Sequence, residues 1–133
     1  MEDRIIRFFD NDLFAKGCGA RLIEVAPGSA KVRMEITPQL HNAAGGVQGG
    51  AIFTLADFAF AAATNAHGSL TVGMCSSIQF FRQPKGAYMT GVAREISRGR
   101  RTCGCNVEIF DEDGTLIASF SGTGYIRDEK LEF

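Results

Sequence analysis

The sequence predicts an α+β fold in which one antiparallel sheet wraps around a central buried helix. Three observations point to it. Residues 51–66 carry Ile52, Phe53, Leu55, Phe58 and Phe60 on every side of a helix, and a helix that is apolar all round must be buried. Six flanking segments show the period-two alternation of strands. Little else in the chain is apolar enough to cover the helix, so the sheet has to do it.

The elements follow in order. Ile5, Phe9 and Leu13 are four apart with Ile6 and Phe14 alongside, which predicts a short amphipathic helix over 3–15, packed as a lid and stopped by Gly17 and Gly19. Strands are predicted over 20–26 and 30–37, where Val32, Met34 and Ile36 alternate with Lys31, Arg33 and Glu35, and Pro27-Gly28 makes the hairpin turn between them. A Gly-, Asn- and Gln-rich loop over 38–50 leads into the helix at 51–66. Four strands follow over 70–82, 87–97, 101–111 and 115–126, ahead of a charged tail over 127–133. The turn Asp111-Glu112-Asp113-Gly114 is the clearest hairpin signal among them.

Composition narrows the function. With 133 residues, 45% of them hydrophobic, one domain spanning 1–133 is expected. Fourteen Lys plus Arg against fifteen Asp plus Glu leave a net charge of -1, so no overall positive field exists to hold nucleic acid or an anionic membrane. Met1-Glu2-Asp3-Arg4 carries acid early and does not read as a secretory signal, so a cytoplasmic location is expected. The apolar helix only just approaches the roughly 18 residues of a membrane span and contains Asp57 and Asn65, which favours a core helix. Cys18, Cys75, Cys103 and Cys105 are expected as free thiols. Cys103 and Cys105 share one strand face, and no histidine completes a zinc site around them, so neither metal nor cofactor is expected.

Asp57 is the one charge in the apolar helix, and a buried carboxylate is costly unless it is paired or used in chemistry. Two readings are open. It is a hydrogen-bonded core residue, or a general base or nucleophile at the edge of a cleft. Ahead of it, Gln48-Gly49-Gly50 presents backbone N–H groups at the positive end of a helix dipole, a place for an oxyanion. Asn42 and Gln48 add side-chain amides that can hold a carbonyl oxygen or a water. Gln48 and Asp57 are nine positions apart, roughly 13 Å along a helix, too far for both to reach one carbonyl. If both act, the site is shared across a twofold dimer. His41 and His67 are the only histidines, and neither stands beside a nucleophile in the manner of a Ser-His or Cys-His site. Arg82, Lys85, Arg98, Arg100 and Arg101 lie at strand ends and turns, as ordinary solvated edges or as a patch for phosphates.

Asn42, Gln48-Gly49-Gly50, Phe53, Leu55-Ala56-Asp57, Ala59-Phe60-Ala61 and Asn65 together resemble the hot-dog thioesterases of the phenylacetic-acid-degradation (PaaI-like) type. That pattern runs Asn, five residues, His-Gly-Gly, then a helix with Leu-Ala-Asp and an Ala-rich continuation. Ser77-Ile78-Gln79-Phe80-Phe81-Arg82 is similar to the family strand ending in Phe-Leu-Arg-Pro. The resemblance implies a hot-dog fold, a homodimer or homotetramer, and hydrolysis of aryl-acyl or medium-chain acyl-CoA. It implies Asp57 as base or nucleophile, Gly49 N–H polarising the carbonyl, Asn42 and Gln48 beside it, and Gly50, Ser77 and Arg82 contacting substrate. Two positions depart from the pattern. Gln48 stands where the family has His and cannot carry a proton. Gly73 stands near where relatives have a Ser or Thr that orients water, with Thr71, Cys75 and Ser77 close by.

A hot-dog dehydratase or hydratase is one rival, but it needs a His that Gln48 does not supply. A non-catalytic acyl-CoA-binding module is another, and it would keep fold and dimer without requiring Asp57.

Overall fold

A computed structural model describes residues 1–133. The elements are α1 (Glu2–Phe9), α2 (Leu13–Gly17), β1 (Ala20–Ala26), β2 (Ser29–Glu35), α3 (Gly49–Asn65), β3 (Ser69–Phe80), β4 (Tyr88–Arg98), β5 (Thr102–Asp111) and β6 (Leu116–Lys130), with a single 3-10 turn at Pro38–Leu40. The six strands form one antiparallel sheet in the order β1-β2-β4-β5-β6-β3, and α3 lies against its inner face. No helix is long and apolar enough to cross a membrane.

Register explains how the sheet holds the helix. Val32, Gly91, Ile109 and Ala118 stand side by side across β2, β4, β5 and β6. All four face inward, with Leu55 of α3 within 3.8 Å of where a Gly91 Cβ would sit. Gly122 and Gly124 admit the Phe60 ring, since a Cβ at either would lie 3.1–3.2 Å from it. Cys103 and Cys105 share this inner face, as their spacing requires, and both are buried. The β1–β2 turn uses Gly28 at φ +85 and the β5–β6 turn uses Gly114 at φ +90, a left-handed region that other residues avoid.

Five sequence expectations need correction. The helix expected over 3–15 is two helices. Asp10, Asn11 and Asp12 favour a turn over helix continuation, and Asp12 breaks the run by capping α2, its carboxylate accepting from Ala15 N at 3.0 Å. Ile5 and Phe9 are buried as expected, whereas Leu13 and Phe14 are 75% and 73% exposed. The segment expected as a charged tail continues β6 to Lys130, which pairs with Ser69. Strand β3 ends at Phe80, two residues early, and α3 begins at Gly49, two residues early. Most consequential, α3 is not covered on all sides. Gly50, Phe53, Thr54, Asp57 and Ala61 form a stripe that the sheet leaves open, and Asp57 is exposed on it.

The two sheet edges differ. Helix α1 lies along β1, and its Glu2 carboxylate accepts from Val25 N at 3.1 Å. Strand β3 has no such cover: Val72, Met74 and Phe80 are 41%, 59% and 50% exposed.

Candidate active site

Helix α3 begins where a capping side chain takes up one of its free N–H groups. The Gln48 amide oxygen accepts from Gly50 N, while Gly49 N–H has no protein acceptor. Of the two glycine N–H groups at this dipole end, only Gly49 therefore remains open to a ligand. The Phe80 ring packs over Gly49, 3.3 Å from where a Cβ would sit, so a side chain there would have to displace the ring.

The loop before α3 is held by its own side chains. Asn42 Oδ1 accepts from Ala44 N and Gly46 N, both at 3.0 Å, which shapes the loop and leaves the Asn42 NH₂ group to donate outward. Gln83 takes both backbone groups of Val47, with Val47 N donating to Oε1 at 2.8 Å and Nε2 donating to Val47 O at 3.2 Å. Gln83 follows β3 in a connection anchored by the buried carboxylate of Asp111, which accepts from Lys85 N at 2.8 Å and Gly86 N at 2.9 Å. Neither Gln83 nor Asp111 is marked by its sequence pattern. Their roles arise from contacts 36 and 25–26 residues away in the chain.

Asn42, Gly49 and Arg82 line one cleft of about 370 Å³ with Val47, Phe80 and Gln83. Arg82 makes no ion pair there. Asp57 lines a separate cavity of about 280 Å³, together with Asp12, Phe14, Phe53, Thr54 and Phe58. Desolvation against this apolar wall raises the Asp57 carboxyl above its ordinary value, and the negative charge of Asp12 raises it further. Within one chain the structure thus brings Asn42, Gly49 and Arg82 together and keeps Asp57 apart from them. Ser77 lines neither cleft, lying exposed on β3 opposite Ser121. Asp12 escapes sequence reasoning because the apolar spacing around it places it inside one continuous helix; the run Asp10-Asn11-Asp12 is the signal that could have found it.

The remaining candidates lie elsewhere. The basic residues do not form one patch. Arg82 and Lys85 are at one end of the sheet, while Arg98 and Arg101 are at the other, paired with Glu95 at 3.0 Å and Asp128 at 2.8 Å. His67 sits past the C-terminal end of α3, 2.9 Å from Glu95. Burial pushes the Cys105 thiol up to about 12 and raises Cys103 as well, so both are protonated near neutral pH and unsuited to attack.

Comparison with known proteins agrees with this architecture. The thioesterase superfamily matches residues 44–118, a stretch that includes Gln48, Gly49, Asp57 and Arg82. The acyl-coenzyme A thioesterase PaaI of Escherichia coli K12 is 33% identical over 118 residues, covering 88% of this chain and 84% of that protein. The structure of the E. coli PaaI protein from the phenylacetic acid degradation operon superposes with a TM-score of 0.90 at 30% identity, over 95% of this chain and 92% of that one. The TT0310 protein of Thermus thermophilus matches with a TM-score of 0.81 at 34% identity, over 86% and 97%. With its sheet wrapped on α3, the chain belongs to the thioesterase superfamily as a PaaI-like hot-dog thioesterase, a thioester hydrolase.

Proposed function

We propose that this protein hydrolyses acyl-CoA thioesters of aryl-acyl or medium-chain acids, in the cytoplasm, with its 133 residues acting as one hot-dog domain. The observation that carries the reading is the free Gly49 N–H at the start of α3, beside Asn42 and Arg82 in an open cleft. Asp57 acts as general base or nucleophile. As a base it takes a proton from water while the oxygen attacks the thioester carbon. The carbonyl oxygen gathers negative charge and accepts from Gly49 N–H; the C–S bond then breaks, and the leaving thiolate takes up the proton held by Asp57 to depart as the coenzyme A thiol. A backbone donor of this kind contributes about 3 to 4 kcal/mol to lowering the barrier.

Gln48 serves first as the cap that directs Gly50 N–H away from the ligand, so that Gly49 alone faces the carbonyl. Its free NH₂ group and that of Asn42 orient the thioester or water, and Gly50, outside the cleft lining, contacts the substrate from the open stripe of α3. Arg82, unpaired at the cleft, meets a phosphate of coenzyme A, and Ser77 lies on the edge where the substrate crosses between chains. The separate placement of Asp57 supports a site shared across a homodimer, which in turn can pair into a tetramer. The bare apolar edge of β3 supports the same reading, because an exposed hydrophobic edge strand is a template for another chain.

The test is thiol release from a panel of acyl-CoAs by the unaltered protein beside Asp57→Asn and Gln48→Ala. Turnover that survives unchanged in Asp57→Asn would sink the reading.

A further inference from the structure

Two carboxylates, Asp12 and Asp57, line this cavity, and only Asp57 has been given a part in the chemistry. Asp12 precedes α2, and its carboxylate accepts from Ala15 N at 3.0 Å. Helix α2 then lays Phe14 and Ala15 along one side of the cavity, opposite Phe53, Thr54, Asp57 and Phe58 of α3. Asp12 and Asp57 are the only charged groups lining it, both negative, and neither takes part in an ion pair. The rest of the lining is apolar except Thr54, whose hydroxyl is bonded to Gly50 O at 2.8 Å. No cation is present to receive an anion.

We propose that Asp12 is a specificity-determining residue of the Asp57 site: its charge turns away acyl groups that end in a carboxylate and leaves the Phe-lined cavity to uncharged ones. The inference rests on the thioesterase reading above and deepens it. Chemistry makes the charge separable from the fold. A helix N-cap needs a side-chain acceptor, which Asn and Ser provide as well as Asp does, so nothing in α2 requires an anion at this position. A carboxylate-tipped acyl chain would bring a further negative charge into a cavity that already holds one or two and no cation. An acyl chain of the same length without that charge meets only the aromatic walls. The raised carboxyl of Asp57, with Asp12 as the second cause after burial, is in keeping with two like charges facing one cavity.

The experiment compares glutaryl-CoA with pentanoyl-CoA, which have the same chain length and differ in the terminal charge. The unaltered protein, Asp12→Asn and Asp12→Ser are assayed for kcat/KM on both, at low and at high salt. Both variants are expected to raise the glutaryl-to-pentanoyl ratio by about tenfold at low salt, with a smaller gain at high salt as screening takes over. The acid limb of kcat/KM for pentanoyl-CoA is expected to move to lower pH in both, a change that a purely structural cap would not produce. Turnover of pentanoyl-CoA by the unaltered protein, with an unchanged ratio in both variants, overturns the role of Asp12 and leaves the thioesterase reading standing. No turnover of any thioester by the unaltered protein overturns both. If Asp12→Asn folds poorly, Asp12→Ser carries the same comparison.

Discussion

The Gln83 side-chain amide clasps the backbone of Val47 from both sides, accepting from its N–H at 2.8 Å and donating to its carbonyl at 3.2 Å. Val47 immediately precedes Gln48 and Gly49, so this pair of bonds fixes the direction in which the start of α3 presents Gly49 N–H.

Replacing Gln83 with Ala removes both bonds. At about 0.5 to 1.5 kcal/mol each, the loss of unfolding free energy is about 1 to 3 kcal/mol, measurable by urea titration. Turnover of acyl-CoA falls by about 10- to 100-fold, because a small misplacement of an oxyanion donor is costly to rate. Lowered stability with unaltered kcat would show that the clasp serves the scaffold alone.

Asp57→Asn lowers kcat by about 10²- to 10⁴-fold, the range typical of a positioned acid or base, as measured by thiol release. Stability moves the other way. The folded carboxyl is raised above its ordinary 3.8, so the folded protein binds the proton more tightly than the unfolded chain does. That contribution is fully present below 3.8 and is lost as pH rises through the raised value. Asp57→Asn therefore melts slightly higher than the unaltered protein at neutral pH, and the difference shrinks as pH falls through the raised value and is gone below 3.8.

Met74→Asp places a charge on the bare edge of β3, where Met74 is 59% exposed. Negative charge on an edge strand opposes strand addition. The expected result is a monomer by sedimentation, with acyl-CoA hydrolysis lost along with the dimer. A monomer that retained full activity would contradict a site shared between chains.

Asp111→Ala leaves the N–H groups of Lys85, Gly86 and Glu112 without their acceptor. Unpaired, part-buried donors cost about 1 to 3 kcal/mol each when water cannot reach them, and partial access to water brings the expected total to about 2 to 3 kcal/mol. Thermal unfolding followed by circular dichroism would read this as a fall of several degrees. Because the same connection carries Gln83, turnover falls with it.

Much of this was present in the residues themselves. Ile52, Leu55, Phe58 and Phe60 of α3 are all buried, as the apolar pattern requires of a helix that packs into a core. The alternation of Val32 with its neighbours and the Asp111-to-Gly114 turn mark strands and a hairpin by local rules alone. The nine-residue spacing between Gln48 and Asp57 already said that the two cannot meet within one chain, because a helix start and a residue two and a half turns on are related by helical geometry alone.

Tertiary structure decided the rest. Local periodicity carried Leu13 and Phe14 into the first helix, but Asp12 found an acceptor role at Ala15 N and turned the chain. Asp57 looked enclosed because its neighbours in sequence are apolar, yet the sheet covers only one side of α3 and leaves Asp57 on the open stripe. The basic residues, read in the chain either as solvated edges or as a phosphate patch, lie at opposite ends of the sheet, because consecutive antiparallel strands send their turns to alternate ends. Sequence determines what each segment prefers, since propensity and periodicity act over a few residues. Which polar groups meet across the fold, as Gln83 meets Val47 and Asp12 faces Asp57, depends on strand register and helix placement, and those are set only when the whole core packs.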